Sequence, residues 1–310
     1  MNFAASATST TIAGTAGTSD ANELSEFELE WAWEIKEAID RDEELNPISD
    51  YEVAQLAIVT LGQQEDLYSI RERVLALQCL RQEHKLTETP QEGVELMRQL
   101  TCQQQPGHIL AFDLAQNQSH YIGVFDFARN KPSAVQTDKD WRVYLGGYYY
   151  LLNAANSNLT TIRNGFTSIV ECDGMGYHSF SHSMQQRWAT ELGMHFPIET
   201  KESKWFHTPT AANIMCSFVK PWMSSRKARW DRIQLGCQLD SWEGRIDSLI
   251  NLPTPQVAQQ KLLHNLHLAL MERYHNQATF RLPDKPIEEY DHENGNSSSM
   301  MMDVEQIIED

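Results

Sequence analysis

GFTSIVECDGMG, residues 165–176, reads as a buried β-strand that ends in the turn Asp173-Gly174. Upstream lie two further apolar, β-prone runs, HILAFDLA (108–115) and YIGVFDFA (121–128), separated by the turn-forming QNQS. Downstream, ESKWFH (202–207) and RIQLG (232–236) read as short strands. Between them fall helical patterns at about 138–156, about 179–192, and from Thr208-Pro209 through TPTAANIMCSFVKPWM. Strands alternating with helices predict an α/β fold with a mixed, mainly parallel sheet flanked by crossover helices.

The chain on either side of this block reads as helix. In EFELEWAWEIKEAIDRDEEL (26–45), Phe27, Trp31, Ile35 and Ile39 recur at spacings of four, one stripe of a helix. Ser49 and Glu52 form a capping box for a second helix carrying Val53, Leu56, Ala57 and Val59. A third helix spans about 65–84, with Ile70, Val74, Leu75, Leu77 and Leu80 on its apolar face. Thr89, Pro90 and Glu92 supply an N-cap, a first-turn proline and a capping-box acid for a fourth, with Val94, Leu96, Met97 and Leu100. After Gly236, Thr254-Pro255 opens a long helical segment with Val257, Leu262, Leu263, Leu266 and Leu270. The expected organisation is a disordered tail (1–25), a helical lobe (26–101), the α/β domain (102–240), a C-terminal helical extension (241–288) and an acidic disordered tail (289–310).

Composition narrows function. The 310 residues carry 25 Lys+Arg against 43 Asp+Glu, a formal net charge of −18. Nucleic acid is thereby excluded as an expected partner, because phosphate binding needs clustered cations. The five cysteines (Cys79, Cys102, Cys172, Cys216, Cys237) are odd in number and form no C-x-x-C, which argues against a disulfide scaffold or a cysteine zinc site. No run of about 18 apolar residues occurs, and the N-terminus lacks the basic start and apolar core of a signal peptide. A cytoplasmic location, peripheral to membranes, is expected.

Catalytic signatures are missing. There is no nucleophile elbow and no P-loop, and Gly174-Met175-Gly176 lacks the third glycine of a dinucleotide fingerprint. His178/His182 and His264/His267 have ligand-like spacing, but no carboxylate or cysteine pattern accompanies them, so ordinary polar or core histidines are the simpler reading. Asp113, Asp126 and Asp173 sit at strand ends, where they serve either acid–base chemistry or, more simply, as caps. No enzyme activity, metal or cofactor is expected.

One segment concentrates positive charge. Lys220, Arg226, Lys227, Arg229 and Arg232 stand close together with only Asp231 opposing them. Such a cluster either meets a phosphate head group or anionic bilayer, or is a solvated turn. Just upstream, Ile214, Met215, Phe218, Val219, Trp222 and Met223 form an apolar helix pattern, either core or an element that dips into lipid.

The order of GFTSIVECDGMG, HFPIE and KWFHTPTAANIMCSFVKPWMSSRKARWDRIQLG resembles the CRAL-TRIO lipid-binding family. Gly165, Ile169, Asp173 and Gly176 occupy the family's strand motif, with one extra residue before the Asp. Phe196-Pro197 stands for its Tyr-Pro, Thr208-Pro209 for its Asn-x-Pro, Lys220-Pro221-Trp222 for its Lys-Pro-Phe, and Arg226 for a frequent Lys. His207 and Asn213 depart from the family's Asn and aromatic, and its closing L-P-x-E-x-G-G is absent. The resemblance covers about 100–236, and loosely 26–100.

It implies a helical lobe before a lipid-binding domain, and a non-enzymatic protein that carries a phospholipid such as phosphatidylinositol, or another lipophile, between membranes. The implied pocket wall is Phe112, Phe125, Phe127, Phe166, Ile169, Phe206, Met215 and Phe218. Lys220, Arg226 and Arg229 are the implied contacts to a head group or membrane surface. The alternative is a protein-interaction or signalling module with a filled pocket, whose helical lobe or acidic tails bind a protein partner.

Overall fold

The structure, a computed structural model, describes residues 23–115, 119–210, 233–237 and 255–286, with 233–237 and Pro255 seen through their backbone alone. Four helices come first: α1 (Glu26–Asp40), α2 (Asp50–Gln63), α3 (Leu67–Glu83) and α4 (Pro90–Gln99). Ser25 and Ser49 close reciprocal capping boxes with Glu28 and Glu52, while Asp66 and Thr89 cap α3 and α4. The predicted box at Glu92 is not closed. Its carboxylate accepts from the Thr87 N–H (2.6 Å) and the Tyr150 hydroxyl (2.8 Å), and it pairs with Arg142. A spacing of four also advances about 40° per step around a helix. The predicted α1 stripe therefore drifts: Ala32, Ile35 and Ile39 are buried, whereas Phe27 is 72% exposed.

The sheet follows. Strands β1 (Ile109–Leu114), β2 (Tyr121–Asp126), β3 (Phe166–Glu171), β4 (Thr200–Phe206) and β5 (Ile233–Cys237) lie in sequential order, β1 antiparallel to β2 and the rest parallel. The expected mixed, mainly parallel sheet flanked by helices is present. Helices α5 (Asp138–Ala155) and α6 (Leu159–Asn164) connect β2 to β3; α7 (His182–Trp188), continued by a π-helical turn at Ala189–Gly193, connects β3 to β4. Helix α8 (Pro255–Thr279) is the predicted C-terminal helix, and it is built into the core rather than appended.

One face of the sheet carries Phe112, Tyr121, Phe125, Phe166 and Val170, packed with side chains of α3, α4, α5, α7 and α8 in a single cluster. Phe112 stacks on Tyr121 (centroids 4.7 Å, 3° apart), and Phe125 lies nearly parallel to Tyr148. Burying Phe112 or Leu145 contributes about 2–3 kcal/mol each. Gly123 makes room for this layer, since a Cβ there would lie 2.6 Å from the Phe166 ring. At Gly93 a Cβ would meet Leu270 and Tyr150 at 2.6 and 2.8 Å, so the glycine lets α4, α5 and α8 close on one another. Along edge strand β1, α8 supplies an Asn265 amide to the Phe112 carbonyl (2.9 Å), which occupies a backbone acceptor that an edge leaves free.

Lobe and sheet domain share this core, and a buried polar seam fastens them. Arg73 has no exposed side-chain surface; it pairs with Glu65 (2.5 Å) and donates to the Phe196 carbonyl (3.3 Å). Gln55 and Asn156 donate to the Pro197 carbonyl (2.7 and 2.9 Å). Arg81 joins Glu52 (2.5 Å) to the Tyr149 hydroxyl (2.7 Å), and Arg273 of α8 lies 4.5 Å over the Tyr51 ring. Buried charges of this kind are tolerated because each has a partner, and removing one partner costs several kcal/mol.

His108 sits at the base of β1, fully buried. Its Nδ1 faces the Asp126 carbonyl (2.9 Å) and so carries the proton; its Nε2 accepts from the Tyr148 hydroxyl (2.7 Å). Burial pushes the imidazole down to about 4. The unfolded chain then takes up protons below its ordinary value of about 6.5 while the folded chain does not. Stability from this group is complete above about pH 6.5 and is lost as pH falls towards 4. Urea unfolding is expected to show that wild type loses about 2.5 kcal/mol more than His108→Gln between about pH 7 and pH 4.5. Equal losses in the two proteins would refute the neutral, buried imidazole.

Candidate ligand-binding face of the sheet

Strand alternation puts a different set of side chains on the second face. Ala111, Ile122, Val124, Ile169 and Phe206, with Ala115 just after β1 and Leu110 at its bulge, form a separate apolar cluster. All the described members of this cluster come from β1–β4 or the residue after β1; no helix side chain joins it among the described residues. The residues are small or aliphatic apart from Phe206, and each of the first five named is at most 7% exposed. The cluster is a small-side-chain apolar layer, in contrast to the ring-filled layer on the other side.

Polar groups fringe this layer. Thr167, on the same face as Ile122 and Ile169, is fully buried and its hydroxyl has no hydrogen-bond partner. Lys204 and Glu202 pair at 3.1 Å, and His207 Nδ1 lies 3.0 Å from both Glu171 oxygens. Asp126 is held above the usual carboxylate range by burial, which outweighs its neighbour Arg129 at 2.9 Å.

The residues expected to line one pocket divide between two faces. Phe112, Phe125 and Phe166 point into the helix-backed core and are packed solid there. Phe127 leaves the end of β2, stacks on His108 (5.4 Å) and meets Trp205 edge-on (5.2 Å). Ile169 and Phe206 belong to the second face. A single cavity cannot touch both sides of a sheet, so the residues expected to line it do not come together: of those described, Ile169 and Phe206 alone share the second face. Ala111, Ala115, Ile122, Val124 and Thr167, which the sequence reading passed over, lie on that face with them. The signal was available: aromatics and small aliphatics alternate along LAFDLA, YIGVF and FTSIV with a period of two. Met215 and Phe218, and the cations Lys220, Arg226 and Arg229, lie outside the described residues.

The other chemical candidates resolve into structural roles. Asp126 caps a 3₁₀ turn through the Ala128 N–H (3.1 Å), and Asp113 is held by Lys261 (2.5 Å) and Asn265 (3.2 Å). Asp173 is exposed at its turn. His178 and His182 sit on different elements, a 3₁₀ turn and the start of α7. Among the described residues, the one group with metal-ligand chemistry at close range is Glu83, His84 and Glu191. Arg187 bonds both of its carboxylates, so the charge there is already answered within the chain. No described helix is long and apolar enough to cross a membrane. No family model matches the sequence, and no curated protein matches it.

A buried hydroxyl without a partner costs folding energy that an apolar isostere does not. Thr167→Val is therefore expected to leave the urea unfolding free energy unchanged or raise it by about 1 kcal/mol. A loss of that size would show that the hydroxyl is partnered.

Proposed function

We propose that this protein is a non-enzymatic carrier of a lipid or similar lipophile, of the CRAL-TRIO kind, with the second face of the sheet as the floor of its ligand site. The observation that carries the reading is the segregation of side chains across the sheet. One face is filled by the protein's own rings, while the other presents a broad apolar floor of Ala111, Ile122, Val124, Ile169 and Phe206. An acyl chain laid on such a floor gains about 0.8 kcal/mol per CH₂ removed from water. The element order also supports it: a helical lobe, an antiparallel edge strand, then parallel strands.

In this reading the apolar pattern at 209–223, with Met215 and Phe218, is the lid, and Lys220, Arg226 and Arg229 meet the phosphate of a head group or bilayer. Both described crossovers of the parallel strands run over the first face, and no described helix side chain joins the cluster on the second.

Transfer of a pyrene-labelled phospholipid between vesicles tests the proposal. Wild type is expected to accelerate transfer and to carry one lipid per chain in native mass spectrometry. Ile169→Trp, which overfills the floor, is expected to lower the transfer rate about tenfold or more while remaining folded by circular dichroism. A wild type that neither takes up lipid nor speeds transfer would end the proposal.

A further inference from the structure

A second apolar feature lies in the helical lobe, remote in sequence from the sheet. Ile35, Ala38 and Ile39 of α1, Leu45 of the following loop, and Leu67, Tyr68 and Ile70 of α3 line a groove of about 210 Å³, with Asp42 and Arg71 at its polar end. Its floor is buried, but Leu67 and Tyr68 on its wall are 38% and 70% exposed. The volume is below the roughly 300–1,000 Å³ of small-molecule pockets and suits one bulky side chain.

Charge around the groove is one-sided. Between Glu23 and Asp50 the chain has eleven carboxylates and two bases, Lys36 and Arg41. Both bases are engaged, Lys36 with Asp50 (2.7 Å) and Arg41 with Glu37. Arg71 is shared among Asp42, Glu44 and Glu72. Glu26, Glu30 and Glu34 follow one another at spacings of four along exposed α1, with no ion pair among the described residues. Like charges so spaced weaken a helix by a few tenths of a kcal/mol per pair, and nothing in the fold of the lobe calls for them.

We propose that the groove between α1 and α3 is a docking site for a basic segment of another protein, which seats one large apolar side chain in it while its Lys and Arg residues meet the α1 carboxylates. Complementary charge selects this occupant. A second copy of the chain would bring like-charged surfaces together. The inference goes beyond lipid carriage and does not rest on it.

Random peptides displayed on phage, panned on the full chain and counter-selected on the groove-filled variant Ala38→Phe, supply the probe. A synthetic peptide of residues 211–232, the chain's own cationic run, is tested beside them. The enriched peptides are expected to place Lys and Arg around a Trp, Phe or Leu. Their affinity by fluorescence anisotropy is expected to fall about tenfold in Ala38→Phe and in the double variant Glu30→Lys/Glu34→Lys, and severalfold as NaCl rises from about 50 to 300 mM. The glutamates are exposed and make no ion pair among the described residues, so that variant tests the charge without threatening the fold. The proposal is overturned if the enriched peptides carry no positive charge or bind both variants like wild type. It is also overturned if the 211–232 peptide displaces them, which makes the occupant this chain. Wild type sedimenting as a dimer that Ala38→Phe dissolves would overturn it too, because the occupant is then a second copy. Lipid transfer by Ala38→Phe should match wild type, which separates failure here from failure of the lipid reading.

Discussion

A sheet whose parallel crossovers share one side leaves its other side to be covered by something else. Here α5 and α7 cross on the face that carries Phe112, Phe125 and Phe166, and α4 and α8 complete that layer. The opposite face is just as apolar along its centre, with Val124 and Ile169 paired across β2 and β3. Apolar surface of this extent is not stable in water. The proposed function follows from this constraint more than from any single residue, for the floor exists whether or not a catalytic group stands beside it.

The helix-backed half makes the floor rigid. Gly93 and Gly123 bring helices and rings into direct contact, while Arg73 and Gln55 pin the turn at Phe196-Pro197 to the lobe and Asn156 holds it to the end of α5. Helix α8 ties three parts together: its Asn265 and Lys261 bind β1, its Arg273 lies over Tyr51 of α2, and its Glu272 accepts from Ser157 (2.7 Å) after α5. Interiors packed in this way resist deformation, so in the proposed reading ligand exchange falls to whatever lies over the second face. Placing the acidic groove on the lobe keeps any protein contact away from that exchange.

Much of this was legible beforehand because it is local. The capping pair Ser49 and Glu52 gave the start of α2, an apolar stripe gave α1, and turn residues bounded β1 and β2. The strand at 166–171 fell inside the apolar run of 165–174, and the strand at 200–206 overlaps the expected 202–207. Other features depend on what meets across the fold. Glu92 left its cap for Thr87 and Tyr150 because α5 delivers a hydroxyl and Arg142 to it. Phe27 looked like core because a spacing of four hides rotation around the helix. The pocket list gathered large aromatics without asking which way each faces, and the period of two divides them. The role of α8 was unreadable, since an amphipathic pattern states that a helix packs but not on what.

The most direct test asks which face lipid touches. Methyl-resolved NMR of the full chain with spin-labelled stearate reports proximity to the probe group by group. The account predicts broadening of the Ile122, Val124 and Ile169 methyls, with those of Leu145, Leu151 and Val170 spared. Broadening confined to the second set, or none at all, would contradict it.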